Sequence, residues 1–111
     1  MYTRMTTFRI RPGHWDEHEW GFKKASVAGR DDPGLYQRWL VRSSEDPDVG
    51  FLLSVWDSYE SIDAYARAHL PEDGSLPLME RNIAGEYTVS HGEVRFLYDS
   101  KTRRMISKPR W

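Results

Sequence analysis

An apolar run of strand length that passes directly into the start of a helix constrains this chain more than any other feature. Residues 50–56 read Gly-Phe-Leu-Leu-Ser-Val-Trp, a pattern typical of a strand covered on both faces. Asp57 follows, with Glu60 three residues later, and this spacing predicts a helix whose first amides are capped by Asp57. The segment therefore indicates a fold in which helices pack against a sheet.

Hydrophobic periodicity over the rest of the chain predicts three further strands and two further helices. Thr6, Phe8 and Ile10 alternate on one face of the first strand, and a short loop joins the second and third strands into an antiparallel hairpin. The apolar positions of the final strand change parity near residues 90–92, which predicts a β-bulge. The predicted elements are strands at 2–11, 35–42, 50–56 and 86–98 and helices at 14–28, 57–69 and 76–84.

This order of elements predicts an α+β fold of the ferredoxin-like, split β-α-β type. In that fold a four-stranded antiparallel sheet carries its helices on one face. The other face would be bare in a monomer, yet the third and fourth strands place apolar residues on both of their faces. We therefore expect a homodimer in which two copies stack their sheet faces.

Residues 1–98 are expected to form one domain, and residues 99–111 a basic C-terminal tail with few apolar side chains. Two interpretations of the tail are open. It is either a frayed, solvated end or a segment that packs on a partner subunit through Met105, Ile106 and Trp111.

Composition excludes several classes of function. The chain has 111 residues with a net charge of −1, from 16 basic and 17 acidic side chains, so it lacks the positive field of a nucleic-acid-binding protein. The absence of cysteine excludes disulfides, zinc–cysteine sites and thiol catalysis. No apolar run approaches the roughly 20 residues of a membrane helix, so no membrane partner is expected. The arginines near the N-terminus argue against a signal peptide, and a cytoplasmic location is expected.

Three short motifs, taken together, carry a family resemblance. Arg11-Pro12-Gly13 lies between the first strand and the first helix, Asp32-Pro33-Gly34-Leu35 precedes the second strand, and residues 54–62 join the third strand to the second helix. In their order and spacing, residues 2–98 resemble the antibiotic biosynthesis monooxygenase family, whose members are dimeric α+β barrels. The resemblance implies the same fold and dimer here.

The family divides by chemistry. Some members oxidise aromatic quinols with oxygen and without a metal or prosthetic group, others bind and degrade haem, and some are isomerases or purely structural. At the positions of the asparagine, tryptophan and histidine that haem-degrading members use, this chain has Thr6, Tyr65 and Ser75. Of the residues that quinol-oxidising members use, Trp56 is retained, whereas Leu52 and Ile62 replace an asparagine and a tyrosine.

The candidate catalytic residues are Tyr65 and His69, which lie four apart and so share a helix face. A histidine can take a proton near neutral pH, and a tyrosine can donate to a developing phenolate. The candidate substrate-binding residues are Arg4, Thr6 and Trp56: the arginine for an anionic group, and the tryptophan as a ring that stacks on a planar molecule. Each also has a purely structural interpretation, Trp56 as a core aromatic at the corner and His69 as a charge near a helix C-terminus.

Two histidines, His14 and His18, have the spacing of a metal pair, but no third ligand is apparent, so no metal and no cofactor are predicted. His91, next to Gly92, is interpreted as a bulge or turn residue. The leading hypothesis is a cofactor-independent monooxygenase that acts on a small hydrophobic or aromatic molecule, such as a quinol. The alternatives are a non-catalytic dimeric module that binds a ligand or stabilises a complex, and a haem-binding or haem-degrading protein.

Overall fold

The computed structural model describes residues 1–28, 32–69, 82–85 and 87–108, which form a four-stranded sheet, two helices and a separate hairpin. Neither helix of the described part is long and apolar enough to cross a membrane. The helices are α1 (Trp15–Ala28) and α2 (Tyr59–His69), and the strands are β1 (Tyr2–Arg9), β2 (Leu35–Arg42), β3 (Val49–Trp56), β4 (Thr88–Glu93), β5 (Phe96–Asp99) and β6 (Arg104–Ser107).

The four-stranded sheet has the order β2-β3-β1-β4, and every neighbouring pair is antiparallel. The first and third strands are central, and the second and fourth are at the edges. With one helix after β1 and one after β3, this is the α+β, ferredoxin-like arrangement predicted from the sequence. The expected hairpin of β2 and β3 is confirmed, with an irregularity between Leu35 and Gln37.

Both helices lie on the same face of the sheet. Alternation in β1 turns Thr6 and Phe8 towards the helices, and both are buried. The Phe8 ring lies 5.0 Å from the ring of His18 in α1, and the Trp56 ring of β3 lies 5.1 Å from that of Tyr65 in α2. The two helices thus cover different ends of one sheet face.

The core under α1 is built from large side chains on either side of a glycine. Phe8, Ile10 and Trp15 are buried together. Gly50 is the cross-strand partner of Phe8, and a Cβ at Gly50 would lie 2.6 Å from the Phe8 ring and 2.9 Å from that of Trp15. Glycine is therefore required at this position because two aromatic rings occupy the space of its side chain.

The opposite face of the sheet, here called the open face, is covered by neither of the two described helices and carries apolar side chains from three strands. The cross-strand register places Trp39, Leu53 and Met5 in one row and Val41 and Phe51 in the next. Trp39, Val41 and Met5 are exposed. A bare apolar sheet face is the feature that the sequence predicted for an isolated subunit.

The cap of α2 differs from the prediction. The Ser61 amide donates to Ser58 Oγ at 3.1 Å, so Ser58 is the capping residue and the prediction of Asp57 was wrong by one position. The Asp57 amide instead donates to the carbonyl oxygen of Gly34 at 2.9 Å. Two of the motifs quoted above therefore meet in space, because the loop before β2 packs on the start of α2.

The C-terminal end of the predicted third helix and the predicted bulge in the final strand are also wrong. Residues 82–85 are not helical: Ile83 forms an isolated antiparallel bridge with Ile10, and the rest of the predicted helix, residues 76–81, lies outside the described residues. β4 pairs with β1 in continuous register from Thr88 to Glu93, so there is no bulge near residues 90–92. The change of parity arises because the chain leaves the sheet after Glu93 and begins a new strand at Phe96.

The described part of the expected tail is paired rather than frayed. β6 pairs with β5 from Asp99↔Arg104 to Phe96↔Ser107, and every residue of both strands is exposed. The turn is stabilised by the Asp99 carboxylate, which accepts the Lys101 amide at 2.9 Å. Residues 109–111 lie outside the described residues.

Candidate functional site

A row of polar residues crosses the helix-facing side of the sheet. Arg4 of β1 pairs with His91 of β4 on one side and with Ser54 of β3 on the other, and Ser54 pairs with Arg38 of β2. We call these four residues the polar row. Because neighbouring strands are about 4.8 Å apart, the row spans about 14 Å. Polar side chains on the inner face of a sheet are uncommon and mark this end as the candidate site.

Trp56 lies beside the row and is held by one of its members. Its ring is 0 % exposed, and its indole N–H donates to Ser54 Oγ at 2.9 Å. The hydroxyl of Ser54 in turn donates to the Arg4 carbonyl oxygen at 3.4 Å. The two side chains meet because residues two apart in a strand share a face. Trp56 is therefore a fixed, buried support at the strand-to-helix corner.

Tyr65 packs against the buried Trp56 and the largely buried Arg38. Its ring lies 5.1 Å from that of Trp56, and the Arg38 guanidinium carbon lies 5.2 Å from the Tyr65 ring centroid. Arg38 Nη2 lies 3.8 Å from Asp32 Oδ2, and the two side chains are only 10 % and 17 % exposed. A cation over a tyrosine ring is attracted to the ring face, so Arg38 fixes the outer side of Tyr65.

Arg4 and Thr6 occupy the neighbouring positions of β1. Thr6 is 6 % exposed, and its hydroxyl accepts a hydrogen bond from Arg4 Nη1 at 3.3 Å. Arg4 is half-buried and is in no ion pair with another described residue. Its remaining N–H groups can bind an anion, since a guanidinium carries five donors in a planar fork.

An aromatic rim borders the site at the edge strand. The Tyr59 ring, at the start of α2, lies 5.1 Å from the ring of Tyr2 and 5.5 Å from the ring of His91. The sequence pattern alone assigns no role to Tyr2 and predicts a bulge or turn residue at His91. Tyr2 lies next to Arg4 because residues two apart in β1 share a face. His91 lies next to Arg4 through the strand register, which no single-sequence pattern reveals.

Four of the five predicted site residues come together here. Arg4, Thr6, Trp56 and Tyr65 lie on one face between the sheet and α2. His69 is the last residue of α2, one turn beyond Tyr65, and its side chain lies outside the described part of the structure. Arg38 was missed because its basic side chain in a strand gave no sign of facing inward.

The residues that the structure describes at the other end of the sheet form no comparable polar site. His18 is buried against the rings of Phe8 and Trp15, whereas the exposed His14 contacts Glu17 at 3.1 Å. Among the described residues, no group of three or more histidine, aspartate or glutamate side chains is placed to hold a metal. This end of the helix face is the hydrophobic core rather than a ligand site.

An acidic side chain marks the corner beside the site. The pKa of the Asp57 carboxyl lies below its usual value, first because the side chain of Ser61 hydrogen-bonds to it and further because of hydrogen bonds from Ser58. Gly34 has a φ of 85°, and a Cβ there would collide with the side chains of Asp57 and Ser61. The Asp57 carboxylate and the close approach at Gly34 together hold the loop before β2 against the first turn of α2.

Comparison with known proteins agrees with this architecture. The family model described as "Antibiotic biosynthesis monooxygenase" matches residues 1–70. No curated protein matches the chain at the sequence level.

Solved structures with the same fold share little sequence with the chain. A crystal structure of an antibiotic biosynthesis monooxygenase is 17% identical over 85% of this chain and 98% of that one, with a TM-score of 0.68. SnoaB, a cofactor-independent oxygenase from Streptomyces nogalater, is 14% identical over 85% of this chain and 92% of its own, with a TM-score of 0.69. The haem-degrader MhuD from Mycobacterium tuberculosis is 21% identical over 85% and 95%, with a TM-score of 0.68. At these identities the likeness shows the fold alone.

Proposed function

Because the chain belongs to the antibiotic biosynthesis monooxygenase family, we propose that it binds a small, flat aromatic molecule between the sheet and α2 and oxidises it with molecular oxygen, without a bound cofactor. The observation that carries the proposal is the stack of Trp56, Tyr65 and Arg38 beside Arg4 and Thr6. This arrangement puts an aromatic ring and cationic donors on one face, the combination that an aromatic anion requires.

The proposed reaction requires few contributions from the protein, because the substrate anion itself reduces oxygen. The substrate loses a proton from a position next to its aromatic system, and the resulting anion is electron-rich enough to reduce oxygen. A CH₂ group and one O₂ become a C=O group and one water, so one oxygen atom enters the product and the other leaves with both hydrogens. The site must take a proton, stabilise the oxyanion and exclude water.

Each of these tasks has a proposed residue. His69 is the proposed base, on the basis of its position one helical turn after Tyr65. The Tyr65 hydroxyl donates to the substrate oxygen, and the Arg4 guanidinium stabilises its negative charge. Trp56, whose N–H is bound by Ser54, positions the Tyr65 ring.

We also propose that the functional unit is a homodimer formed through the open face. Trp39, Met5 and Val41 are exposed there in a contiguous patch, together with the half-buried Phe51 and Leu53. Contiguous apolar patches of this kind mark association surfaces. Stacking a second copy on the open face would bury them and leave the site between sheet and α2 on the opposite side.

Haem fits these residues less well. The position that matches the iron-ligating histidine of haem-degrading members is Ser75, which lies outside the described residues, and the buried Thr6 already accepts a hydrogen bond from Arg4. We derive no step through haem.

The experiment is oxygen uptake by the purified protein with a panel of quinol-type phenols, including anthrone, whose keto form carries a CH₂ group beside the aromatic system. The proposal predicts turnover of at least one of them and its loss in His69→Ala. Turnover of none of them would favour the non-catalytic module, and turnover that is unchanged in His69→Ala would show that His69 is not the base. A Soret shift on titration with haemin would instead support the haem-binding alternative.

A further inference from the structure

Arg38 is a buried cation with unused hydrogen-bonding capacity. Its side chain is 10 % exposed, and its Nη2 atom is buried without a hydrogen-bond partner among the described residues. The 3.8 Å separation from Asp32 is an ion pair but too long for a hydrogen bond. Burying a guanidinium N–H without an acceptor is unfavourable, and such groups in native structures call for a bound partner.

The charge in this part of the site is unbalanced. Arg38 and Arg4 lie on the same sheet face, on either side of Ser54, with their Cα atoms about 10 Å apart across two strand spacings. Asp32 is the acidic side chain that offsets Arg38. Glu93, on the same face of β4, pairs with Arg95 at 3.2 Å, which leaves Arg4 without an acidic partner in the described residues. Among the described residues, the two arginines thus carry one positive charge more than Asp32 offsets, and a ligand with one negative charge would balance it.

The aromatic side chains near Arg38 and Arg4 favour a flat, aromatic ligand. The Arg38 guanidinium lies over the Tyr65 ring, and the Tyr59 ring borders the site at the edge strand beside Arg4. An aromatic ligand packs favourably beside aromatic side chains such as these, and a planar carboxylate matches the fork of a guanidinium.

We propose that the ligand of this site is an aromatic carboxylate. Arg38 binds the carboxylate through its unused N–H group, and Arg4 supplies the second positive charge from β1, two strands away. The inference rests on the proposed function for the aromatic character of the ligand, but it does not require that the ligand be oxidised.

Calorimetric titration of the protein with 2-naphthoate and with 2-naphthamide tests this directly. The two probes have the same ring and differ in charge at one substituent. Naphthoate should bind at least about ten-fold more tightly, as expected for a charge-assisted hydrogen bond in a buried site. Arg38→Met and Arg4→Gln should each weaken the binding of naphthoate more than that of naphthamide, and so reduce the preference.

The control variant is Arg67→Gln, which removes an exposed arginine of α2 that pairs with Asp63. It should keep the full preference for naphthoate. The comparison of the two probes on the unmodified protein needs no variant, so a misfolded Arg38→Met does not prevent the test. Equal affinity for both probes, or a preference that survives both arginine substitutions, would overturn the inference.

The naphthoate test and the oxygen-uptake test can give opposite results, so the two proposals can fail independently. If the protein prefers naphthoate but consumes no oxygen with any substrate of the panel, the carboxylate site is supported and the proposed monooxygenase activity is excluded. If it oxidises neutral quinols but shows no preference for naphthoate, the monooxygenase activity is supported and the carboxylate site is excluded.

Discussion

The indole N–H of Trp56 donates to Ser54 Oγ at 2.9 Å, and both side chains are buried at the corner where β3 passes into α2. This bond explains how a polar residue is accommodated in the strongly apolar third strand. It also fixes the ring on which Tyr65 rests. The corner thus links the stability of the fold to the geometry of the candidate site.

Removing Ser54 should leave the buried N–H of Trp56 without an acceptor. We expect Ser54→Ala to lower the free energy of unfolding by about 1–3 kcal/mol, the usual penalty for an unsatisfied buried donor. The double variant Ser54→Ala, Trp56→Phe should lose less than the sum of the two single changes, by about 1 kcal/mol, because both partners are absent. Urea unfolding measures all three variants. Ser44→Ala, in an exposed loop, should change stability by less than about 0.5 kcal/mol. Strict additivity would show that the bond contributes nothing.

Adding a methyl group at Gly50 should disrupt the core under α1. The new Cβ would lie 2.6 Å from the Phe8 ring, so Gly50→Ala should destabilise the protein by about 1–3 kcal/mol. Gly21→Ala is the matched control, since Gly21 lies in α1 with nothing within 4 Å of an added Cβ. It should stabilise by about 0.5–1 kcal/mol through helix propensity. Thermal unfolding curves that shift in the same direction for both variants would contradict this packing.

Asp57 should contribute a pH-dependent part of stability. Its pKa is lowered in the folded state, first by the hydrogen bond from Ser61, so the carboxylate stabilises the fold above the unfolded pKa of about 3.9. That contribution is lost as the pH falls through the lowered folded pKa. The stability difference between the natural protein and Asp57→Asn should therefore be largest above about pH 5 and shrink below about pH 4. Glu19 and Asp46, whose pKa values are also lowered, are present in both proteins and cancel in the difference. If the stability difference between the two proteins stays constant from neutral to acid pH, the Asp57 carboxylate does not contribute this pH-dependent stability.

A charge on the open face should prevent the proposed dimer. Light scattering should give the natural protein twice the chain mass of 13.1 kDa and should give Trp39→Asp the mass of a single chain. The reason is that Trp39 is 42 % exposed in the isolated subunit, so a carboxylate is tolerated there but not between two sheets. Trp20→Asp, at a 62 % exposed position on α1, should remain dimeric. A natural protein of single-chain mass at micromolar concentration would exclude the dimer.

The sequence was sufficient to predict the order of elements from β1 to α2 and the buried faces of the first strand and of α2. These follow from local periodicity, as the burial of Thr6, Phe8 and Ile62 shows. The cap of α2 was missed by one residue because Asp57 and Ser58 are both good capping residues, and the contact between Asp57 and Gly34 decides between them. The cytoplasmic location stays a prediction.

The candidate site was predicted only in part because it depends on register. The sequence identified Arg4, Thr6, Trp56 and Tyr65, but it could not show that Arg38 and His91 extend the same row from the two edge strands. Cross-strand pairing is a long-range relationship that one chain's local pattern does not contain. The same limitation concealed the break after Glu93, where a change of strand produced the parity shift that was interpreted as a bulge.

The central claim is that the face between the sheet and α2 oxidises an aromatic substrate with oxygen. The most direct measurement is turnover of the best substrate of the panel under ¹⁸O₂, with the product analysed by mass spectrometry. The account predicts one labelled oxygen atom in each product molecule and a large loss of rate in Tyr65→Phe, whose ring still packs on Trp56. A product without the label, or a Tyr65→Phe rate equal to that of the natural protein, would contradict it.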